Sequence, residues 1–117
     1  MLDEPVKVVI VEGLSDKKHI EKVIDEKIDV ICTNGTLGIA KLDELLDHFD
    51  LDHREVFIMV DEDKAGHRLR KLLARELPHA EHIHISSEFR EVAATPYQIV
   101  AMALAAKRID VNPAFLI

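Results

Sequence analysis

Four short β-prone segments alternate with four stretches of helical spacing along this chain. Lys7-Val8-Val9-Ile10-Val11 is continuous and β-branched, as expected for a strand buried on both faces of a parallel sheet. Glu12-Gly13 ends it. Ser15 is placed to cap the helix that follows, Asp16 adds a negative charge to its first turn, and Ile20, Val23 and Ile24 extend it over about residues 15–26. A second strand is predicted over residues 28–32, closed by the turn signal Thr33-Asn34-Gly35-Thr36. Leu42, Leu45, Leu46 and Phe49 then share one face of a helix over about residues 37–49. The third strand, residues 55–60, stops at Asp61-Glu62-Asp63-Lys64-Ala65-Gly66. Leu69, Leu72 and Leu73 carry a helix from there to Glu76, closed by Pro78. His82-Ile83-His84-Ile85 alternates as a short fourth strand. Thr95-Pro96-Tyr97-Gln98 combines an N-cap, a proline at the first helical position and a capping-box glutamine, opening a helix that runs to about Lys107.

Alternation of this kind, with short links and no Ser/Gly linker, predicts an α/β three-layer, Rossmann-like fold. Its four-stranded parallel sheet has helices on both faces, joined by right-handed crossovers. A length of 117 residues fits one domain. The expected division is a core over about residues 6–107 and a short apolar tail over 108–117 that docks on the domain or on a partner.

Composition narrows the function. With 22 acidic against 15 basic residues the net charge is −7, which is poorly suited to coating a nucleic-acid backbone but compatible with an acidic cluster that a metal neutralises. The lone Cys32 excludes an intrachain disulfide and suits a reducing compartment. No apolar run approaches the ~18 residues of a membrane span, and the N-terminus has no leader pattern. A cytoplasmic location without membrane attachment is expected.

Three acids stand at predicted strand ends: Glu12 after the first, Asp61 and Asp63 after the third. In doubly wound sheets ligands bind beyond the carboxyl ends of the strands, where the order reverses. If the order is 2-1-3-4, Glu12 and Asp61 flank that crevice. Carboxylates suit Mg²⁺, which takes hard oxygen ligands, keeps several waters and is completed by substrate phosphates. Asp-x-Asp at a strand end can turn both carboxylates to one mouth. Gly66 permits close backbone approach at the start of the next helix, whose amides favour anions. Lys64, His67 and Arg68 lie near enough in sequence to meet a phosphate.

Val11-Glu12-Gly13 after a first strand, with Asp61-Glu62-Asp63-Lys64-Ala65-Gly66 after a later one, resembles the two signature motifs of the Toprim fold. That fold occurs in topoisomerases, bacterial primases, nucleases and maturases of 5S ribosomal RNA. Asn34-Gly35 is similar to the maturase branch. The resemblance covers about residues 6–107. It implies Mg²⁺-dependent phosphodiester chemistry on RNA or DNA, of nuclease or primase type, with Mn²⁺ able to stand in for Mg²⁺. Glu12 would be the general acid/base that also approaches metal, and Asp61 and Asp63 the metal ligands. Gly13, Lys64, Gly66 and Arg68 would be the phosphate or substrate contacts. The chain departs from the pattern in having no accessory domain to grip nucleic acid and no tyrosine in a strand-passage motif.

Other side chains have plainer readings. Asp63 also fits a helix N-cap. His82 and His84 share a strand face and read as a wet edge in preference to a zinc site. Cys32 reads as a small core residue, and Ser86 and Ser87 as a turn. Arg68, Arg70, Lys71 and Arg75 make the third helix the most basic element, read as a solvated face or a phosphate stripe. Two further functions compete with an enzyme. One is a Toprim-fold binding or regulatory module that acts with a protein partner or as a homo-oligomer. The other is a receiver-like phosphoacceptor domain, which lacks support here because the first strand ends in one acid and no fifth strand carries a lysine. No P-loop motif occurs.

Overall fold

The computed structural model describes residues 6–34 and 39–117. Strands β1 (Lys7–Val11), β2 (Asp29–Cys32), β3 (Glu55–Ile58) and β4 (Glu81–His82) alternate with helices α1 (Leu14–Glu21), α2 (Ile39–Phe49), α3 (Lys64–Glu76) and α4 (Tyr97–Ala105). The sheet order is β2-β1-β3-β4 and every pairing is parallel. Central β1 pairs on both sides, with Val9 opposite Val30 and Phe57. This is why its apolar run is unbroken: Val8 to Val11 are all fully buried.

Alternate side chains of β1 feed two cores. Val9 and Val11 join Ile20, Phe57, Val100 and Leu104 on the α1/α4 face. Val8 and Ile10 join Leu42, Ile58, Leu69 and Leu73 on the α2/α3 face. The α/β three-layer architecture is therefore as the sequence predicts. The turn residues Gly35 and Thr36 lie outside the described residues.

Several boundaries differ from the sequence reading. Helix α1 begins one residue before Ser15 and is capped by Gly13, whose amide donates to Asp16 Oδ2 at 3.0 Å. It stops at Glu21, short of the expected 26, because the chain turns away to pair with the C-terminal segment. Ile24 bridges Val111, Asp25 N donates to Asp110 O (2.8 Å), and Asn112 N donates to Val23 O (2.8 Å). The core accordingly runs past 107, with Ile109 and Val111 buried, and Phe115 of the tail packs against Tyr97. The Thr95 capping box does not form. Pro96 occupies the cap position, Thr95 Oγ1 donates to the Glu91 carbonyl instead, and Gln98 Nε2 donates to the Ile117 carbonyl. The tail competes successfully for the glutamine.

The fourth strand is shorter than 82–85 for a specific reason. One more rung follows the Phe57–Glu81 and Ile58–His82 pairs, Ile83 N donating to the Ile58 carbonyl (2.9 Å). There the guanidinium of Arg70 also donates to the Ile58 carbonyl (3.2 Å) and takes up the Ile83 carbonyl (3.2 Å), where the ladder ends. Arg70, read from sequence as part of a solvated basic face, is buried. Its neighbours Arg68, Lys71 and Arg75 are exposed. Among the described residues no helix is long and apolar enough to cross a membrane.

Candidate functional site

The carboxyl ends of β1 and β3 are adjacent, and the strand order reverses there, because β1 leads outward to β2 on one side and β3 to β4 on the other. Glu12 leaves the end of β1 and accepts the Asp61 amide on Oε1 at 3.2 Å. Asp61 follows Met59 and Val60, which stay buried as the chain leaves β3. Its Oδ1 accepts the Val92 amide at 2.8 Å, which pins the 3-10 turn Val92–Ala94 against the mouth. Asp63 caps α3 by accepting the Gly66 amide on Oδ1 at 2.7 Å. Asn34, in the left-handed region at φ 59°, donates its amide to the Glu12 carbonyl at 2.7 Å.

A fourth acid joins these three. Asp16 is buried at the start of α1 and accepts the amides of Gly13 and Ala93. Sequence alone marks it only as a first-turn charge. The signal it does carry is the i+3 spacing from Gly13, since an acid three residues after a cap reaches back to the cap amide. Asp61 is close enough to Asp16, Glu12 and Asp63 to be repelled by each, and Glu12 is repelled by Asp63 and Asp16. Burial raises the pKa of Glu12, and Asp63 and Asp16 raise it further against the Asp61 amide bond. Burial pushes Asp61 up to about 6, with Asp16, Glu12 and Asp63 adding to the rise. Burial likewise raises Asp16. The pocket therefore holds more negative charge than its surroundings solvate well, which a bound cation would relieve.

The phosphate contacts expected from sequence divide. Gly13 and Gly66 have their amides committed to Asp16 and Asp63. Lys64 and Arg68 are exposed on the first turns of α3 and face solvent. The role of Gly66 is steric: a Cβ there would overlap the Asp61 carbonyl oxygen and sit 2.7 Å from its carbon. Backbone cannot yield as a flexible side chain can. Gly66→Ala is thus expected to lower stability by about 2 kcal/mol and to displace Asp61, read as a fall in the denaturation midpoint. Exposed Ala65→Gly, by contrast, should cost about 1 kcal/mol through helix propensity alone.

Elsewhere the plainer readings divide similarly. Ser86 Oγ accepts the Glu88 amide (3.3 Å) in a turn. Cys32 is half-buried beside the core and not within it. His82 is half-buried and bonded to Arg70, while His84 is exposed and bonded to Glu62.

A family model for the Toprim domain matches residues 7–88. The chain belongs to the Toprim family. A solved small Toprim domain protein from Bacillus stearothermophilus superposes with a TM-score of 0.88 at 41% identity, covering 95% of this chain and 92% of that one. The uncharacterized protein YusF of Bacillus subtilis is 44% identical over 98% of this chain and 77% of its own length. Ribonuclease M5 1 of Ligilactobacillus salivarius is 31% identical over 68% of this chain. This Toprim chain spans only 41% of that ribonuclease.

The donor set of the Toprim mouth fits Mg²⁺ in kind, being carboxylate oxygen throughout. It does not enclose an ion: among the described residues no three His, Cys, Asp or Glu side chains close around a point. An ion here would be held by one or two carboxylates, with water and substrate oxygens making up the rest. That is the usual manner of binding for Mg²⁺.

Proposed function

We propose that this chain is a Mg²⁺-dependent module acting on phosphodiester bonds of nucleic acid, with hydrolysis as its reaction. The observation that carries the reading is the meeting of Glu12 and Asp61 across the β1/β3 ends, inside a pocket that also gathers Asp63 and Asp16. Kinship with ribonuclease M5 supports the substrate class. Hydrolysis is favoured over strand passage because Tyr97 is engaged elsewhere, stacked on His19 and packed against Phe115.

Asp61 and Asp63 would hold Mg²⁺, or Mn²⁺ in its place, with Glu12 alongside. The bound ion supplies charge neutralisation for a phosphoryl oxygen and a more acidic water. The rest falls to the chain. Glu12 Oε1 is engaged by the Asp61 amide, so Oε2 is the atom left to hold or move a proton. Burial keeps that carboxyl easier to protonate than a free one, the direction a general acid/base needs. Val92 N and Gly66 N orient Asp61 and Asp63, leaving their second oxygens for other partners. Lys64 and Arg68 would draw the phosphate backbone to the mouth.

A second reading is a binding or regulatory module that completes its site with a protein partner. It is favoured by one fact: the ribonuclease relative has more than half of its length outside the match. Thermal melts in EDTA, Mg²⁺ and Mn²⁺, run beside cleavage assays on end-labelled RNA and DNA, separate the two. Ion-dependent stabilisation with cleavage is the expected result. Stabilisation without cleavage of any substrate favours the binding module. Absence of both effects would remove the metal reading altogether.

A further inference from the structure

Beside the acidic mouth, α3 and the β4 edge flank a shallow, open groove of about 480 Å³ lined by His67, Arg70, Lys71, Ala74, His82 and His84. Every polar residue lining it is basic or a histidine, on a chain whose net charge is −7. Glu62, which stands between Asp61 and Asp63, accepts His84 Nδ1 (3.2 Å) and Arg70 Nη2 (3.2 Å). From there α3 carries His67, Lys71 and Ala74 away from the mouth at successive turns.

We propose that this groove binds a single-stranded stretch of nucleic acid, with His82 and His84 stacking on a base and Lys71 and His67 meeting the backbone phosphates. The inference rests on the phosphodiester reading of the neighbouring mouth and adds to it the form of the substrate.

Two features point to an unpaired base. The rings of His82 and His84 are near-parallel, 21° apart in plane, with centroids 6.3 Å apart. That bounds the gap between the planes below the ~6.8 Å that two ~3.4 Å stacking steps require, so the pair offers a base its outer ring faces and not a slot between the rings. Bases in a duplex already stack on their neighbours, whereas unpaired bases are the ones that stack on histidine and other aromatic side chains. The platform is also rigid. Arg70 Nη1 donates to His82 Nδ1 at 3.0 Å, which fixes the ring and leaves its N–H on Nε2. Burial and the Arg70 charge lower the His82 pKa, so its ring is neutral near pH 7, as a stacking face and not as a phosphate anchor. Arg70 itself is shielded and serves to position His82 and Glu62.

A transition metal is the other ligand that histidines suggest. His82 Nδ1 is already taken by a cation-bearing donor, and no group of three ligands forms among the described residues.

The test is fluorescence anisotropy of labelled 12-nucleotide single strands, RNA and DNA, against blunt duplexes of the same sequence. The full chain carrying Asp61→Asn is used in Mg²⁺, so that no turnover intervenes. Single strands are expected to bind more tightly than duplex. His84→Ala, at a side chain 58% exposed, is expected to weaken single-strand binding about tenfold. His84→Phe should restore it, which a merely structural histidine would not allow. Lys71→Glu should weaken binding and flatten its salt dependence. Equal affinity for single strand and duplex, unchanged affinity in both His84→Ala and Lys71→Glu, or no binding at all overturns the groove. Melts in Mg²⁺ and cleavage by the chain with Asp61 intact then report separately on the mouth, which can stand when the groove falls.

Discussion

Asp61→Asn should yield a protein that melts at a higher temperature than the wild type in EDTA at pH 7.5, and that cleaves no nucleic acid. The substitution keeps the one bond that Asp61 makes with its carbonyl-like oxygen, since an amide Oδ1 accepts the Val92 N–H as a carboxylate does. It removes a negative charge from a pocket shared with Glu12, Asp16 and Asp63. The pH dependence gives the effect a signature. Asp61 is raised from its ordinary 3.8 to about 6 in the folded protein, first by burial and then by its acidic neighbours. A group with a raised folded pKa binds more protons folded than unfolded. Its stabilising protonation is complete below about pH 4 and is lost as pH rises through about 6. The wild type and the variant should therefore melt alike at pH 4 and diverge above it. The gap at pH 7.5 should be about 1 kcal/mol, the usual size for relief of charge at a functional site, or roughly 4 °C for a chain of this length. Mg²⁺ should raise the wild-type melting temperature and leave the variant unmoved. A variant that is less stable than wild type in EDTA, or that responds to Mg²⁺ equally, would mean that Asp61 is a structural acid and not a ligand.

The same residue shows how far the sequence reaches. The alternation of strands and helices and the placing of Glu12 and Asp61 at strand ends were legible because both depend on local signals, whereas the order 2-1-3-4 entered only as a condition that the fold meets. The local signals are a β-branched run that ends in an acid, and a glycine set where a helix start must clear the strand it follows. The Gly66 contact with the Asp61 backbone is the physical content of that second motif. Asp16 was less legible, because its burial depends on Ala93, a residue distant in sequence that reaches it only in the folded chain. The Thr95 cap misled for a related reason. Its local pattern was sound, but Glu91 and the Ile117 carbonyl supplied competing partners that no capping-box pattern at residues 95–98 includes. Arg70 was the largest departure. Its helix has basic residues at 68, 70, 71 and 75, and periodicity alone could not say that one of them turns inward to close the sheet.

Arg70→Met should accordingly cost more stability than any surface change on α3. Methionine replaces the stem with similar bulk, so the loss isolates the guanidinium. That group makes four bonds: to the Ile58 carbonyl, the Ile83 carbonyl, His82 Nδ1 and Glu62 Oε2. Its Nε has no acceptor and is buried, a standing cost that methionine removes. The stranded partner outweighs that gain. Glu62 has a side chain only 11% exposed, and without Arg70 its carboxylate keeps no permanent cation among the described residues. Stripping one partner from a buried pair typically costs about 3–5 kcal/mol, here a fall of roughly 12–20 °C in melting temperature. Adding Glu62→Gln should recover more than half of it, because the uncompensated charge goes while the side chain remains. A single variant that loses less than about 1 kcal/mol would show that hydrophobic contacts hold β4 on the sheet without help. A large loss would establish instead that the fourth strand, Glu62 and the acidic mouth are fastened by one buried side chain, so that the edge of the sheet and the geometry of the site cannot vary independently.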